Sequence, residues 1–136
     1  MGTVAYENNT RVLNETRYDI RDFKTLPVPQ NFIFANPYSY GESPRFTWSD
    51  VLEAEQYNVY RCITENSYYD PSCFQQAYGG AILRNGAGWE WTDPQVTIDA
   101  YHAPCDERAI YRVTAQNITG EAIALSEPQV CIDTVY

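Results

Sequence analysis

Ionisable and nucleophilic side chains are plentiful in this 136-residue chain, but few stand at spacings that do chemistry. A single histidine, His102, restricts general acid–base options, and no serine or cysteine has a base at a recognisable distance along the chain. GxSxG, HExxH and Walker patterns are absent. The glycines of YGGAILRNGAG (78–88) fit no phosphate-binding loop and no lysine follows them, so they read as turn residues. The stretch TDPQVTIDAYHAPCDE gathers Asp93, Asp99, His102, Asp106 and Glu107. Hard oxygen ligands in one connection suit calcium, but the spacing matches no calcium loop, and clustered acids on an acidic surface are ordinarily solvated. The expectation is no enzyme, no metal and no cofactor.

Aromatic rings collect around the middle of the chain. Tyr68, Tyr69 and Tyr78 are candidate ligand-contact rings, suited to a carbohydrate with apolar faces and hydroxyl rims or to a protein partner. Trp89 and Trp91 in WEWTD share one strand face, which puts at least one of them in a core.

Four cysteines, Cys62, Cys73, Cys105 and Cys131, stand outside any CxxC pair and allow three disulfide connectivities. Strand register selects among these. In YRVTAQNITGEAIALS (111–126), a turn centred on Ile118-Thr119 pairs residues whose numbers sum to about 237, which Cys105 and Cys131 satisfy within one. Cys62 and Cys73 flank a turn near Ser67-Tyr68 in the same way. The pairing 62–73 and 105–131 follows, with four buried free thiols as the alternative; disulfides imply an oxidising, extracellular or cell-surface location.

The elements that must carry these residues are strands. From Pro27 onward short alternating runs are separated by Pro, Gly, Asn and Asp. They fall at 30–35, 44–49, 57–63, 74–78, 88–92, 109–116 and 122–132, with at most one helical turn in 49–56. The net charge of −9 disfavours nucleic acid, and no apolar run approaches a membrane span. No signal peptide is visible at the N-terminus.

Residues 1–26 form a separate arm ahead of a domain at 27–136. Val4, Tyr6, Thr10, Val12, Tyr18 and Ile20 alternate with charged residues over about seventeen positions, longer than the usual strand of about five or six. The arm holds four basic and four acidic residues, leaving −9 on the body. An added edge strand on its own domain, a strand given to a neighbouring subunit, and a disordered tail all remain open. Sequons occur at Asn8, Asn14 and Asn117, each a candidate for glycosylation; glycans at Asn8 and Asn14 conflict with packing the arm's apolar face.

PRFTWSDV (44–51), QYNVYRC (56–62), WTD (91–93) and YRVTAQNITGEAIALS (111–126) follow one another along the chain. On these motifs residues 28–132 resemble a fibronectin type III domain, Trp48 standing for the family's strand-B tryptophan, QYNVYRC for strand C, and WTD for the element before strand F. YRVTAQNITGEAIALS matches the strand F–G signature, with Ala122 where serine is common. The resemblance implies an all-β, seven-stranded immunoglobulin-like sandwich with Trp48 between the sheets. It also implies that Tyr111 is buried, its hydroxyl returning to the backbone of the preceding corner. The cysteines and the length of 65–88 depart from the family. The implied role is interaction, not reaction: a structural or adhesive subunit associating with itself or a partner protein. A carbohydrate-binding or accessory module of a secreted enzyme system is the alternative.

Overall fold

Period-two alternation is clearest in RAIYRVTAQN, where Ala109, Tyr111, Val113 and Ala115 have no solvent exposure. In the computed structural model, which describes residues 26–65, 69–99 and 105–135, this segment is a ten-residue strand. The chain is all-β. In order the strands are β1 (Ile33–Phe34), β2 (Arg45–Ser49), β3 (Gln56–Thr64), β4 (Gln75–Gln76), β5 (Leu83–Asn85), β6 (Gly88–Thr92), β7 (Val96–Ile98), β8 (Arg108–Asn117), β9 (Gly120–Ile123) and β10 (Gln129–Val135). Helical structure among the described residues is one 3-10 turn, Pro71–Cys73, where Asp70 accepts the Ser72 N–H.

Two antiparallel sheets result. One has the order β1-β2-β6-β5; the other has the order β4-β3-β8-β10-β7, with β9 also paired to β8. The β8–β9 register runs from Thr114↔Ile123 to Asn117↔Gly120, so each pair adds to the expected 237. The seven expected strands become ten. The run 122–132 is two strands, because the chain leaves β8 after Ala124 and returns two residues out of register at Cys131↔Arg108. Pro128 lies at the return; it has no N–H to donate, and its carbonyl accepts from Tyr111 N–H. The run 30–35 shrinks to two residues, with Asn31 at a φ of 58°, a left-handed turn within it. β5 and β7 carry no sequence signal, because three residues are too few to display alternation.

Between the sheets lie Phe32, Phe46, Trp48, Val59, Trp91, Val96, Ile98, Tyr111, Val113, Val130 and Ile132. Phe46 anchors the group, 4.2 Å from the Tyr111 ring centroid and 6.3 Å from that of Trp91. Trp48 packs edge-on to Tyr57 across the sandwich. Of the tryptophan pair, Trp91 is buried and Trp89 half-buried. Leu26, assigned to the arm from sequence, belongs to the body, buried with Val51, Ala115 and Ala122.

The Tyr111 hydroxyl does not return to backbone. It donates to Asp93 Oδ2 at 2.7 Å, and Arg61 Nη1 donates to the same oxygen at 2.7 Å. Gln95 N–H donates to Asp93 Oδ1 at 2.9 Å, and Arg61 Nη2 to Gln95 Oε1 at 2.7 Å. Asp93 has no solvent exposure, so its carboxylate must find protein donors, and Tyr111 is the one its neighbours supply from β8. Burial, then the Asp93 charge, pushes the Tyr111 phenol up, keeping it a neutral donor.

Both sides of the sandwich are closed. On one, Gly41 N–H donates to Ile98 O and Ile98 N–H to Glu42 O, which satisfies the outer edge of β7. On the other, 77–82 crosses from β4 to β5, held by Trp91 Nε1–H donating to Gly79 O at 3.0 Å. Gly80 is required there: its φ is 73°, and a Cβ would stand 2.7 Å from Thr92 O.

Replacing Arg61 with Ala leaves the Asp93 carboxylate buried without its cation. Urea unfolding of Arg61→Ala should show a loss of about 3–5 kcal/mol. A loss below about 1 kcal/mol would mean that the pair does not hold the sheets together.

Candidate functional site

Three connections meet at the end of the sandwich where β2 finishes. The loop 50–55 is shaped by Val51, buried with Leu26, and by a turn in which Ala54 N–H donates to Val51 O. Glu53 adopts a φ of 68°, and Glu55 N–H returns to Gln116 O at 2.8 Å. This geometry turns Leu52 outward at 77% exposure. Beside it, Asn117 Oδ1 accepts the Thr119 N–H and hydroxyl at 2.8 and 2.6 Å, closing a tight turn with Ile118 91% exposed at its tip. Asn117 Nδ2 donates to Glu53 O at 3.4 Å, joining the two loops. The third connection is the Asn85-Gly86 hairpin, where Ala87 O accepts Asp50 N–H.

Asp50 is the polar centre of this end. Its Oδ1 accepts Trp89 Nε1–H at 2.9 Å and the Tyr57 hydroxyl at 3.1 Å, while Arg84 Nη1 lies 3.5 Å away. The Arg84 guanidinium sits over the Trp89 ring, 4.6 Å from its centroid. The indole N–H first, then the Tyr57 hydroxyl, hold Asp50 below the ordinary carboxylate range, so it stays ionised. Nothing local in the sequence reveals this group: Asp50 and Trp89 are 39 positions apart and meet only because β2 pairs with β6.

The outer face of the larger sheet holds a second polar group. Thr114 and Asn58 point outward yet are buried under longer neighbours. Asn58 Nδ2 donates to Gln116 Oε1 at 2.8 Å and Glu121 Oε2 at 3.1 Å; the hydroxyls of Tyr60 and Thr114 donate to the same Glu121 oxygen. The Thr114 hydroxyl, foremost among the donors, lowers Glu121.

Cys62 pairs with Cys73 and Cys105 with Cys131, the expected connectivity, although the slip of β10 sets Cys131 opposite Arg108 and not in the register from which the second pair was expected. The first bridge fastens the segment after β3 over this face. Arg112 Nε and Nη2 both donate to Glu127 Oε2, at 2.8 and 2.6 Å, with the Phe74 ring 4.0 Å beneath the guanidinium. The Tyr69 hydroxyl donates to Glu127 Oε1. Burial pushes Glu127 up, but Tyr69 and Arg112 outweigh it and hold the carboxyl low.

The three candidate contact rings therefore part company. Tyr69 is half-buried and engaged, Tyr78 is 71% exposed, and Tyr68 lies outside the described residues. Asn117 stands on an exposed turn; Asn8, Asn14 and the arm positions Val4, Tyr6, Thr10, Val12, Tyr18 and Ile20 lie outside the described residues. Of the acidic stretch, Asp93 is committed to Arg61 and Tyr111, and His102 is outside the described residues. Among the described residues no group of His, Cys, Asp or Glu is arranged to hold a metal. A shallow groove of ≈ 280 Å³ between Ile33 and Gly88 has no ionisable side chain in its lining.

Against family models, curated proteins and solved structures alike, the chain finds no match.

Glu121 and Glu127 both have folded pKa values below their ordinary ones. Each contributes stability above the unfolded value of about 4.3, and that contribution is lost as pH falls through the lower folded value. The Glu121→Gln/Glu127→Gln variant should be less stable at neutral pH and lose less on acidification. Parallel acid limbs for the two proteins would contradict the assignment.

Proposed function

We propose that this chain is an extracellular, non-catalytic structural or adhesive subunit on a fibronectin type III-like sandwich. It associates with copies of itself or with a partner protein through its N-terminal arm. The pairing of β2 with β6 and of β3 with β8, and the inward Trp48 and Tyr111, support the fibronectin-like assignment. Two disulfides favour an oxidising compartment. No helix among the described residues is long and apolar enough to cross a membrane. Asn117 lies on an exposed turn, a position open to a glycan.

The observation that carries this reading is the completeness of the body. Its edge strands β1, β4, β5, β7 and β9 have two to four residues each. Among the described residues the longest strand with an open edge is β3, nine residues that β4 covers at two positions, about half the length of a period-two segment of about seventeen residues, so an added strand on its own domain would leave much of that segment unpaired and is disfavoured. Burial of the arm's apolar positions then requires another molecule. The carbohydrate alternative loses ground, because Tyr69 is spent in fastening its own segment and Tyr78 is left as the exposed ring among the described candidates.

Light scattering on the full chain and on a chain beginning at Leu26, which retains both core clusters and both disulfides, tests this. The full chain should exceed monomer mass and the shortened chain should not. Two folded monomers would remove self-association and return the lead to a ligand-binding module.

A further inference from the structure

The two sheets present unlike outer faces. On the larger one, long side chains lie across the surface and bond to one another: Gln56 and Gln76 donate to Asn58 Oδ1, and Asn58 donates to Gln116 and Glu121. On the smaller one, the outward positions nearest the Asn85-Gly86 hairpin are short or bare. Phe46 and Trp48 point into the core, so by alternation Thr47 and Ser49 of β2 face out, and Ser49 stands opposite Gly88 of β6. Gly88 admits no side chain, because a Cβ there would lie 2.2 Å from Trp48 O. The result is the groove of ≈ 280 Å³, floored by Thr47, Ser49 and Gly88, with Asn31 and Ile33 on one side and Asn85 on the other.

The polar groups of this groove are held in place yet only half used. Asn31 Nδ2 donates to Ser49 Oγ at 2.9 Å, and Asn85 Nδ2 to Glu90 Oε1 at 2.9 Å. These bonds fix both amides. Among the described residues neither amide's Oδ1 has a donor, and the hydroxyls of Thr47 and Ser49 have no acceptor. Two oriented acceptors and two hydroxyl donors thus surround an apolar wall, Ile33, which is 54% exposed. That set matches a ligand whose groups both donate and accept and whose C–H faces are apolar. Charge narrows the choice. The lining has no ionisable side chain, so a charged ligand would lose water without gaining a counter-ion there. A body with fourteen acidic and five basic residues also repels anions. The groove lies over the face of the sheet, where main-chain groups are spent in the ladders, so a peptide strand gains no backbone pairing in it.

We propose that this groove binds one ring of a neutral glycan. Ring hydroxyls donate to Asn31 Oδ1 and Asn85 Oδ1 and accept from Ser49 and Thr47, while a C–H face rests on Ile33. Small-molecule sites run from about 300 Å³ upward, so the space suits one sugar ring with its neighbours lying over the sheet. The groove is complete within one copy, so this inference does not rest on self-association. Neither Tyr69 nor Tyr78 lines it.

NMR titration of the 15N-labelled full chain tests this. The probes are neutral oligosaccharides of glucose, xylose, mannose or galactose, with sialylated and sulfated glycans and a pool of uncharged peptides alongside. At least one neutral oligosaccharide should shift the Ser49, Ala87 and Gly88 amides saturably, with a Kd of about 1 mM or tighter. Two variants then locate the contact. Ser49→Tyr fills the floor, and Asn31→Gly/Asn85→Ala removes both amides while keeping the left-handed backbone at position 31. Each should weaken binding by about tenfold or more and leave the core resonances in place. The proposal is overturned if no neutral oligosaccharide binds, or if the shifts centre on another surface. It is equally overturned if both folded variants bind as tightly as the wild type, or if the charged glycans or the peptides occupy the groove more tightly.

Discussion

A carboxylate removed from water cannot persist without donors, and Asp93 has three: a cross-strand pair of side chains from the facing sheet, Arg61 beside Tyr111, and an amide of its own turn. Arg61 comes from β3, Tyr111 from β8, and the Gln95 N–H from the turn into β7. Asp93 itself follows β6 in the opposite sheet, and its N–H is held by Pro44 O. One buried residue thus fixes the spacing between the sheets. Charge-assisted bonds of this kind have narrow geometry, so they choose among packings that hydrophobic burial alone would leave nearly equal in energy. Phe46 stacks on Trp91 and packs tilted against Tyr111 in the space that this separation defines.

With the sheets fixed, the remaining devices fasten segments that would otherwise be loose. The Cys62–Cys73 bridge, Arg112 on Phe74, and Tyr69 on Glu127 draw the segment after β3 and the crossing from β9 to β10 onto one face. The Cys105–Cys131 bridge ties the chain before β8 to β10. Polar groups on the outer face are consumed in bonds to one another. The end bearing Leu52, Asp50 and Ile118 differs, because its carboxylate is paired only with an exposed arginine; outward apolar side chains it shares with Tyr38 and Leu125 elsewhere on the body. A body this fully fastened elsewhere makes a rigid support for that end.

Much of this was legible in the residues. Alternation through Arg108–Asn117 and the Asn-Ile-Thr-Gly turn determined the β8–β9 register, because it depends on local periodicity; the 105–131 bridge forms as expected although β10 slips from that register and sets Cys131 opposite Arg108. The break between β9 and β10 was not legible, since Ala122 to Ile132 alternates well enough to pass for one strand and only the sheet reveals the two-residue slip. Nor was the role of Asp93 visible: in sequence it is one acid among several ahead of strand β8, and its meaning comes from a tyrosine 18 positions away and an arginine 32 positions away. Asp50 with Trp89 is a case of the same kind. Pairings set by sheet order have no local signal. Nor does the sequence show that Tyr69, a candidate ligand-contact ring, gives its hydroxyl to Glu127, 58 positions away.

Native-state hydrogen exchange addresses most directly the claim that the buried carboxylate locks the two sheets into one cooperative unit. The Gln95 amide, bound to Asp93 Oδ1 in an otherwise irregular turn, should exchange only through global unfolding, with the same free energy and denaturant dependence as the Tyr111 amide in β8. Exchange of Gln95 through local opening, far below the global free energy while Tyr111 stays protected, would mean that the sheets hold together without that lock.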